Sequence, residues 1–475
     1  MKRLLPSIFL FLALAAFIRH APAAAVQRAG PPNILLIQAD DLGYGDLSVY
    51  GQTRFATPNL DRLAREGTRF TQYYAGSTVC APSRAALMTG RHTGHASIRG
   101  NGAPGGGDVP LPSEDVTLAE VLKAAGYRTA LIGKWGLGQP GSTGMPDKQG
   151  FEHAFGFLDQ RHAHRQFTDH LWRNGESVAT SLEGDYVNDL FTKEAAAFVE
   201  RADARPFFVY LNYTVPHAEL RAPEDSMAPF RGRFDERPFA NPDADARQTG
   251  ARPEGPSLGY RSQPTPFAAF AAMITRMDRD IGSLTELLHA RGIDRRTLIL
   301  FISDNGPHKE GGADPEYFRS SGGLRGIKRD LYEGGIRVPM IARWPGTIPA
   351  GRVSDQVWAH WDMLPTLAEL AGARAPSGID GTSMARALRG NARLPHAPLY
   401  WEFHERGFQQ AVRMDHWKAV RLKAGGPLEL FDLDADRQEQ HDIAAAHPDV
   451  VSRMERYLKT ARTESERWPG GNAER

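Results

Sequence analysis

The sequence predicts an α/β fold, a large and mostly parallel sheet flanked by helices, followed by a small C-terminal α+β subdomain with an antiparallel sheet. Three observations carry this prediction. Short, unbroken apolar runs recur between helical patterns, as strands buried on both faces require. Most of these runs end in Asp, Asn, Lys or His, side chains suited to the carboxyl edge of an open parallel sheet, where ligands bind. From about Leu399 onward the pattern changes to alternating strands separated by turn residues.

In chain order, residues 1–25 read as a secretory signal: Lys2 and Arg3, an apolar stretch from Leu4 to Ile18, and the small-residue cleavage site Ala21-Pro22-Ala23. The stretch is short for a spanning helix, which needs about 20 residues, and no second one follows. The expected product has no stable membrane anchor and is periplasmic or secreted. A main domain is expected over 31–392 and the subdomain over 393–475. Strands are expected at Ile34-Leu35-Leu36-Ile37, Ala130-Leu131-Ile132, Phe207 to Leu211, Leu298 to Ile302 and Pro339 to Ala342.

Thr117 and Glu120 form a capping box for a helix through Leu118, Val121 and Leu122 that stops at Gly126. Ile274, Met277, Ile281, Leu284 and Leu288 mark a second helix, ending before Gly292, whose apolar stripe is core. Residues 231–263, rich in Pro, Asp, Arg and Gly without periodicity, read as a long surface loop. In the subdomain, strands are expected at 410–414, 417–421 and 428–433. A last helix carries Val450, Val451, Met454, Tyr457 and Leu458, with Pro448 near its start.

Composition excludes some functions. Lys and Arg total 57 against 56 Asp and Glu, so no overall field draws the chain to nucleic acid or an anionic membrane. An anion must therefore bind at a local site. Cys80 is the only cysteine, so no internal disulfide can form.

The strand ends supply such a site. Asp40-Asp41, Lys134, His217 and Asp304-Asn305 each follow an apolar run and should converge on one crevice. Hard oxygen donors from Asp40, Asp41, Asp304 and Asn305 suit Ca²⁺, or less readily Mg²⁺, and suit zinc poorly. Taken singly, Asp-Asp-x-Gly and Asp-Asn-Gly are also good turn sequences. Cys80 opens Cys80-Ala81-Pro82-Ser83-Arg84 at the expected N-terminus of a helix ending at Gly90, a position that favours an anion or a nucleophile. Alone it would read as a small buried hydrophobe. No family-specific cysteine-protease motif surrounds it.

Cys-x-Pro-Ser-Arg followed by Leu87 and Thr89-Gly90 resembles the motif read by the formylglycine-generating enzyme in type I sulfatases of the alkaline phosphatase superfamily. Asp40-Asp41-x-Gly43, Gly126 to Thr129 through Gly133-Lys134-Trp135, Pro216-His217 and Asp304-Asn305-Gly306 resemble that family too. So do Gly326-x-Lys328, Glu333-Gly334-Gly335-x-Arg337-Val338-Pro339 and Asp362-x-x-Pro365-Thr366, in the family's order.

The resemblance implies an alkaline phosphatase-like core and a sulfuric ester hydrolase. Cys80, as part of the metal and sulfate centre, would become formylglycine, whose hydrated aldehyde attacks sulfur with one hydroxyl and expels sulfate with the other. Calcium on Asp40, Asp41, Asp304 and Asn305 would polarise a sulfate oxygen. Lys134 and Lys328 would bind sulfate, Arg84 would hold the formylglycine, and His217 would protonate the leaving alcohol. The family commonly has a histidine two residues after the lysine of the second motif; here that position is Gly136, so the base of the second step is open. His162 and His164 are candidates to enter the room left at Gly136.

The expected substrate is a sulfated small molecule or glycan. Residues 231–263 and Trp401, Glu402 and His404 are candidates to line its pocket. The alternatives are a formylglycine-dependent phosphonate monoester hydrolase or phosphodiesterase, and a non-catalytic protein that binds sulfated glycans.

Overall fold

Eight consecutive buried residues, Asn33–Asp40, form the strand on which the computed structural model is centred (β1). The structure describes residues 30–103, 107–201, 203–245, 259–390 and 392–470. The expected signal peptide lies outside them. β1 pairs in parallel with β7 (Phe207–Pro216) on one side and β8 (Thr297–Ser303) on the other. β3 (Arg128–Lys134) and β4 (His153–Phe157) extend the parallel part beyond β7. The antiparallel hairpin of β5 (His170–Arg173) and β6 (Glu176–Ala179) closes that edge. On the far side, β9 (Arg337–Arg343) follows β8, then β2 (Thr68–Tyr74), which pairs with the short strands β10 (Arg352–Ser354) and β11 (Trp358–Ala359).

The run around Pro339 to Ala342 departs from expectation, because β9 is antiparallel to both β8 and β2. Gly306 N–H donates to Gly335 O at 3.0 Å, so β9 begins beside the end at which β8 stops, and an antiparallel return is the only course left to it.

Alternate residues of the central strands enter two different cores. Leu35, Ile37, Val209, Leu211, Ile299 and Phe301 pack towards the helices Val187–Glu200 and Pro266–Ala290. Ile34, Leu36, Phe208, Tyr210, Leu298 and Leu300 pack towards Leu118–Ala124 and Met363–Leu370. Burial on both faces is why these strands carry no polar alternation. Both bonds of the Thr117–Glu120 capping box are present.

The C-terminal sheet is antiparallel, in the order β12 (Leu399–Phe403), β13 (Gln409–Met414), β14 (Trp417–Arg421) and β15 (Glu429–Asp432). Helix Pro448–Leu458 covers one face through Val450, Met454 and Leu458. The other face turns Leu399, Trp401 and Phe403 towards Tyr74, Ile336 and Trp361 of the main body.

The 231–263 loop has more order than its composition suggests. Phe239 and Gln263 exchange both backbone hydrogen bonds, and Pro242–Asp245 forms a helical turn. Residues 246–258 lie outside the described part.

Candidate active site

The strand ends do converge. Asp41 adopts a φ of 66°, a left-handed conformation that Asp tolerates better than most residues, and this breaks the alternation that would send consecutive side chains to opposite faces. Its N–H donates to Asp304 Oδ1 at 3.0 Å across the 263 residues between them. Cys80 is the first residue of helix Cys80–Thr89, whose ten residues are all buried. Its Sγ lies 3.4 Å from Asp40 Oδ1 and 4.0 Å from Asp41 Oδ1.

Two buried lysines face these carboxylates. Lys134, at the end of β3, places Nζ 2.7 Å from Asp40 Oδ2, and Lys328 places Nζ 2.7 Å from Asp41 Oδ2. His217 follows β7; its Nδ1 is tied to Ala218 O and its Nε2 stands 3.5 Å from Asp41 Oδ2. Donor atoms of Asp40, Asp41, Cys80 and His217 lie within 4.8 Å of one another.

The Arg84 guanidinium ties two strand ends together beside Cys80. Nε and Nη2 reach Asp304 Oδ2 at 3.2 and 2.8 Å, and Nη1 donates to Lys134 O at 2.9 Å. Arg84 thus fixes Asp304 and the end of β3, and its hydrogen bonds do not go to Cys80.

The charges leave room for a cation. Burial would raise Asp40, but Lys134, His217, Arg84 and Lys328 outweigh it and hold this carboxyl well below its usual range. Burial and the charge on Asp40 push Asp304 up to about 7 against the pull of Arg84, with Asp41 adding repulsion. Asn305 Nδ2 donates to Asp41 Oδ1 (2.7 Å) and Gly306 O (2.9 Å), which leaves Asn305 Oδ1 buried without a hydrogen-bond partner among the described residues. Three crowded carboxylates and an orphaned amide oxygen are a fit donor set for a hard divalent cation.

Cys80 itself is a poor thiolate. Burial and Asp40 push its thiol well above the ordinary value despite Lys134 and Lys328, the opposite of a cysteine-protease nucleophile.

The histidine candidates separate. His162 bonds through Nε2 to Thr168 Oγ1 (2.7 Å) and packs on Phe157 and His170, away from the carboxylates. His164 stacks on His217 with ring centroids 4.5 Å apart. Neither fills the room at Gly136: a Cβ there would meet Gln160 Nε2 at 2.0 Å, so Gln160 already takes that space.

Trp401 and Glu402 do not line a pocket, because both are fully enclosed. Trp401 Nε1 donates to Ala75 O at 2.9 Å. Glu402 is neutralised by Arg99 (2.8 Å) and Arg462 (2.9 Å), and His404 Nε2 stands against it at 3.0 Å, so this group joins the subdomain to the main body. Sequence reasoning missed Gln160 and Glu310, while Tyr260 falls within the 231–263 segment named as a candidate pocket lining. Glu310 could have been found, since it follows the Asp304-Asn305 strand end by only a few residues.

Known proteins resemble this chain over most of its length. The family model described as Sulfatase matches residues 32–373, and one described as N-sulphoglucosamine sulphohydrolase, C-terminal, matches 327–464. Arylsulfatase A of Homo sapiens is 34% identical over 481 residues, covering 91% of this chain and 88% of that protein. The crystal structure of Ps i-CgsB in complex with k-i-k-neocarrahexaose is 30% identical with a TM-score of 0.75, covering 93% of this chain and 95% of that one. The phosphonate monoester hydrolase of Agrobacterium radiobacter shares the fold at 22% identity and a TM-score of 0.66, over 90% of this chain and 95% of that one. With the strand-end centre in place and these matches spanning nearly all of its described length, the chain belongs to the sulfatase family and is a sulfuric ester hydrolase.

Proposed function

We propose that this protein is exported and hydrolyses the sulfate ester of a sulfated sugar. Its resident groups would be formylglycine made from Cys80 by the formylglycine-generating enzyme and a calcium ion held by Asp40, Asp41, Asp304 and Asn305. The observation that carries this reading is the pairing of a buried Cys80, at the start of its helix and 3.4 Å from Asp40, with two buried lysines and an orphaned Asn305 oxygen. A buried thiol beside two carboxylates is a poor nucleophile, while an aldehyde formed at Cβ of the same residue would have the two lysines at hand. When present, formylglycine supplies a hydrated aldehyde as nucleophile and the cation withdraws charge from a sulfate oxygen.

The chain's own residues do the rest. Lys134 and Lys328 are fully or nearly fully enclosed, so their charge acts on sulfate oxygens with little screening. Arg84 keeps Asp304 turned to the centre. The bond from Nδ1 to Ala218 O orients the His217 ring and leaves Nε2 to face the leaving oxygen. Burial, Lys328 and Lys134 lower the His217 pKa despite Asp40, so the ring rests neutral and takes up the proton that it passes to the departing alcohol. A sugar as leaving group is favoured by the neocarrahexaose bound to Ps i-CgsB and by the polar mouth described below.

The test is a mass spectrum of the Cys80 peptide from active enzyme, with metal analysis and turnover of aryl sulfate, phosphate monoester and phosphate diester. The expected result is an aldehyde at position 80, about one calcium per chain, loss of sulfate release in Cys80→Ala, and preference for sulfate. Active enzyme with an intact thiol overturns the formylglycine assignment. A preference for phosphate diester would favour the hydrolase alternative.

A further inference from the structure

Beside Lys328 lies a row of side chains that the sulfate-binding groups do not use. Tyr260 Oη donates to Glu310 Oε2 at 2.7 Å. Arg329 Nη1 donates to Glu310 Oε1 at 2.6 Å, and Arg329 Nε donates to Glu405 Oε2 at 3.2 Å. The row starts at the reaction centre: Glu310 stands 3.9 Å from Lys328 Nζ, and the Tyr260 ring lies 6.0 Å from His217 and 5.5 Å from His164. It also opens to solvent. The side chains of Glu310, Arg329 and Glu405 are 22%, 29% and 27% exposed, whereas Lys328 is 2% exposed.

The backbone holds this row firmly. Arg329 adopts a φ of 75°, unusual for a residue with a side chain, and its N–H donates to Thr78 O at 3.1 Å, two residues before Cys80. Partly exposed ion pairs contribute little to stability, so folding alone gives weak reason for a strained residue here. A fixed guanidinium–carboxylate pair does suit recognition, since it offers donors and acceptors side by side and neighbouring sugar hydroxyls can satisfy both.

The charge on this row is selective. Among the described residues, Glu310, Glu405 and Asp330 set three carboxylates against the two guanidiniums of Arg329 and Arg406, with Arg406 Nη1 on Asp330 Oδ1 at 3.2 Å; the Lys328 ammonium, 3.9 Å from Glu310, is held closer by Asp41 at 2.7 Å. A second sulfate beside the one being cleaved would meet repulsion as well as a guanidinium already engaged twice.

Resting on the sulfatase reading above, we propose that Tyr260, Glu310 and Arg329 form the leaving-group subsite, and that it takes a neutral, polyhydroxylated ring, a monosulfated hexose unit. The same ring with a second sulfate on the adjacent hydroxyl is rejected.

The test compares kcat/KM of mature, metal-loaded enzyme for 4-nitrophenyl sulfate, a hexose monosulfate and the corresponding vicinal hexose disulfate. The wild type should prefer the monosulfate to the disulfate by at least about tenfold. Arg329→Ala should lower the ratio of hexose monosulfate to aryl sulfate turnover by about 10- to 100-fold, because the aryl substrate has no hydroxyls for the pair to read. Glu310→Gln should lower that ratio too and narrow the discrimination against the disulfate. Should Arg329→Ala fail to fold, wild-type enzyme still decides: free hexose must compete with 4-nitrophenyl sulfate. Unchanged ratios, a wild-type preference for the disulfate, or no competition by hexose overturns this subsite while aryl sulfate turnover leaves the sulfatase reading standing. Enzyme that turns over no sulfate ester overturns both.

Discussion

At Gly136 the backbone adopts a φ of 76°, and the end of the Gln160 side chain lies where a side chain from position 136 would begin, with Gln160 Nε2 donating to Gly136 O at 3.3 Å. A neutral amide therefore stands where the family's histidine would start, and an amide is no general base. His164 is the candidate the geometry leaves. Burial, His217, Lys134 and Lys328 lower its pKa well below the ordinary value, so the ring is neutral but a weakened base, and it is its stacking on His217 at 4.5 Å that singles it out. His162, lowered to about 4 by burial and by His170, is oriented by Thr168 and packed into its own hairpin. His164→Ala is expected to slow steady-state turnover by about 10²-fold, the lower end of a general base's contribution, while His162→Ala stays within about threefold. Equal effects in the two variants would remove His164 from the reaction.

At the scale of elements, helices are terminated and capped by residues far apart in sequence. Helix Pro58–Glu66 has Thr57 at its N-cap, yet Thr57 makes no capping bond with its side chain. Asp278, from the middle of helix Pro266–Ala290, does that work: its carboxylate accepts from Asn59 N (3.1 Å), Asn59 Nδ2 (2.9 Å) and Leu60 N (2.8 Å). Asp278→Ala would leave these donors unpaired and is expected to cost about 1–3 kcal/mol, read as a lower denaturant midpoint. Turnover per folded molecule should not change, since the hydrogen bonds of Asp278 go to Asn59 and Leu60 and to none of the groups at the centre. A midpoint equal to that of the wild type would show that water replaces the cap at no cost.

Across the whole molecule, the approach to the C-terminal sheet is fastened through a titratable contact. His396 Nε2 stands 2.7 Å from Asp362 Oδ2, and Asp362 also accepts from Ala359 N and Thr382 N. Burial opposes charge on His396, but Asp362 outweighs it and raises the imidazole above its ordinary value. A histidine raised on folding stabilises fully below its unfolded value of 6.5, and that stability is lost as pH rises through the folded value. The midpoint advantage of the wild type over His396→Gln should therefore be largest near about pH 6 and shrink by about pH 8.5. An advantage that grows with pH would mean the contact is neutral.

The sequence alone determined what depends on neighbours in the chain. Continuous apolar runs reveal β1, β3, β7 and β8, because burial on both faces leaves no room for alternation, and the polar residues at their ends locate the centre. The Thr117–Glu120 capping box and the helix opening at Cys80 are likewise local. β2 escaped because its TRFTQYY segment mixes Thr, Arg and Gln with its aromatics and so lacks the unbroken apolar run of the central strands. Only the tertiary structure decided which groups meet. Lys328 reaches Asp41 across 287 residues and Asn305 across 264, and Tyr260 and Glu310 join the mouth from separate loops. Trp401 and Glu402, which look like pocket residues in the chain, are interior because Arg99 and Arg462 arrive to neutralise the carboxylate. Whether a polar side chain is exposed or enclosed depends on partners that folding brings from elsewhere, and local pattern does not encode that information.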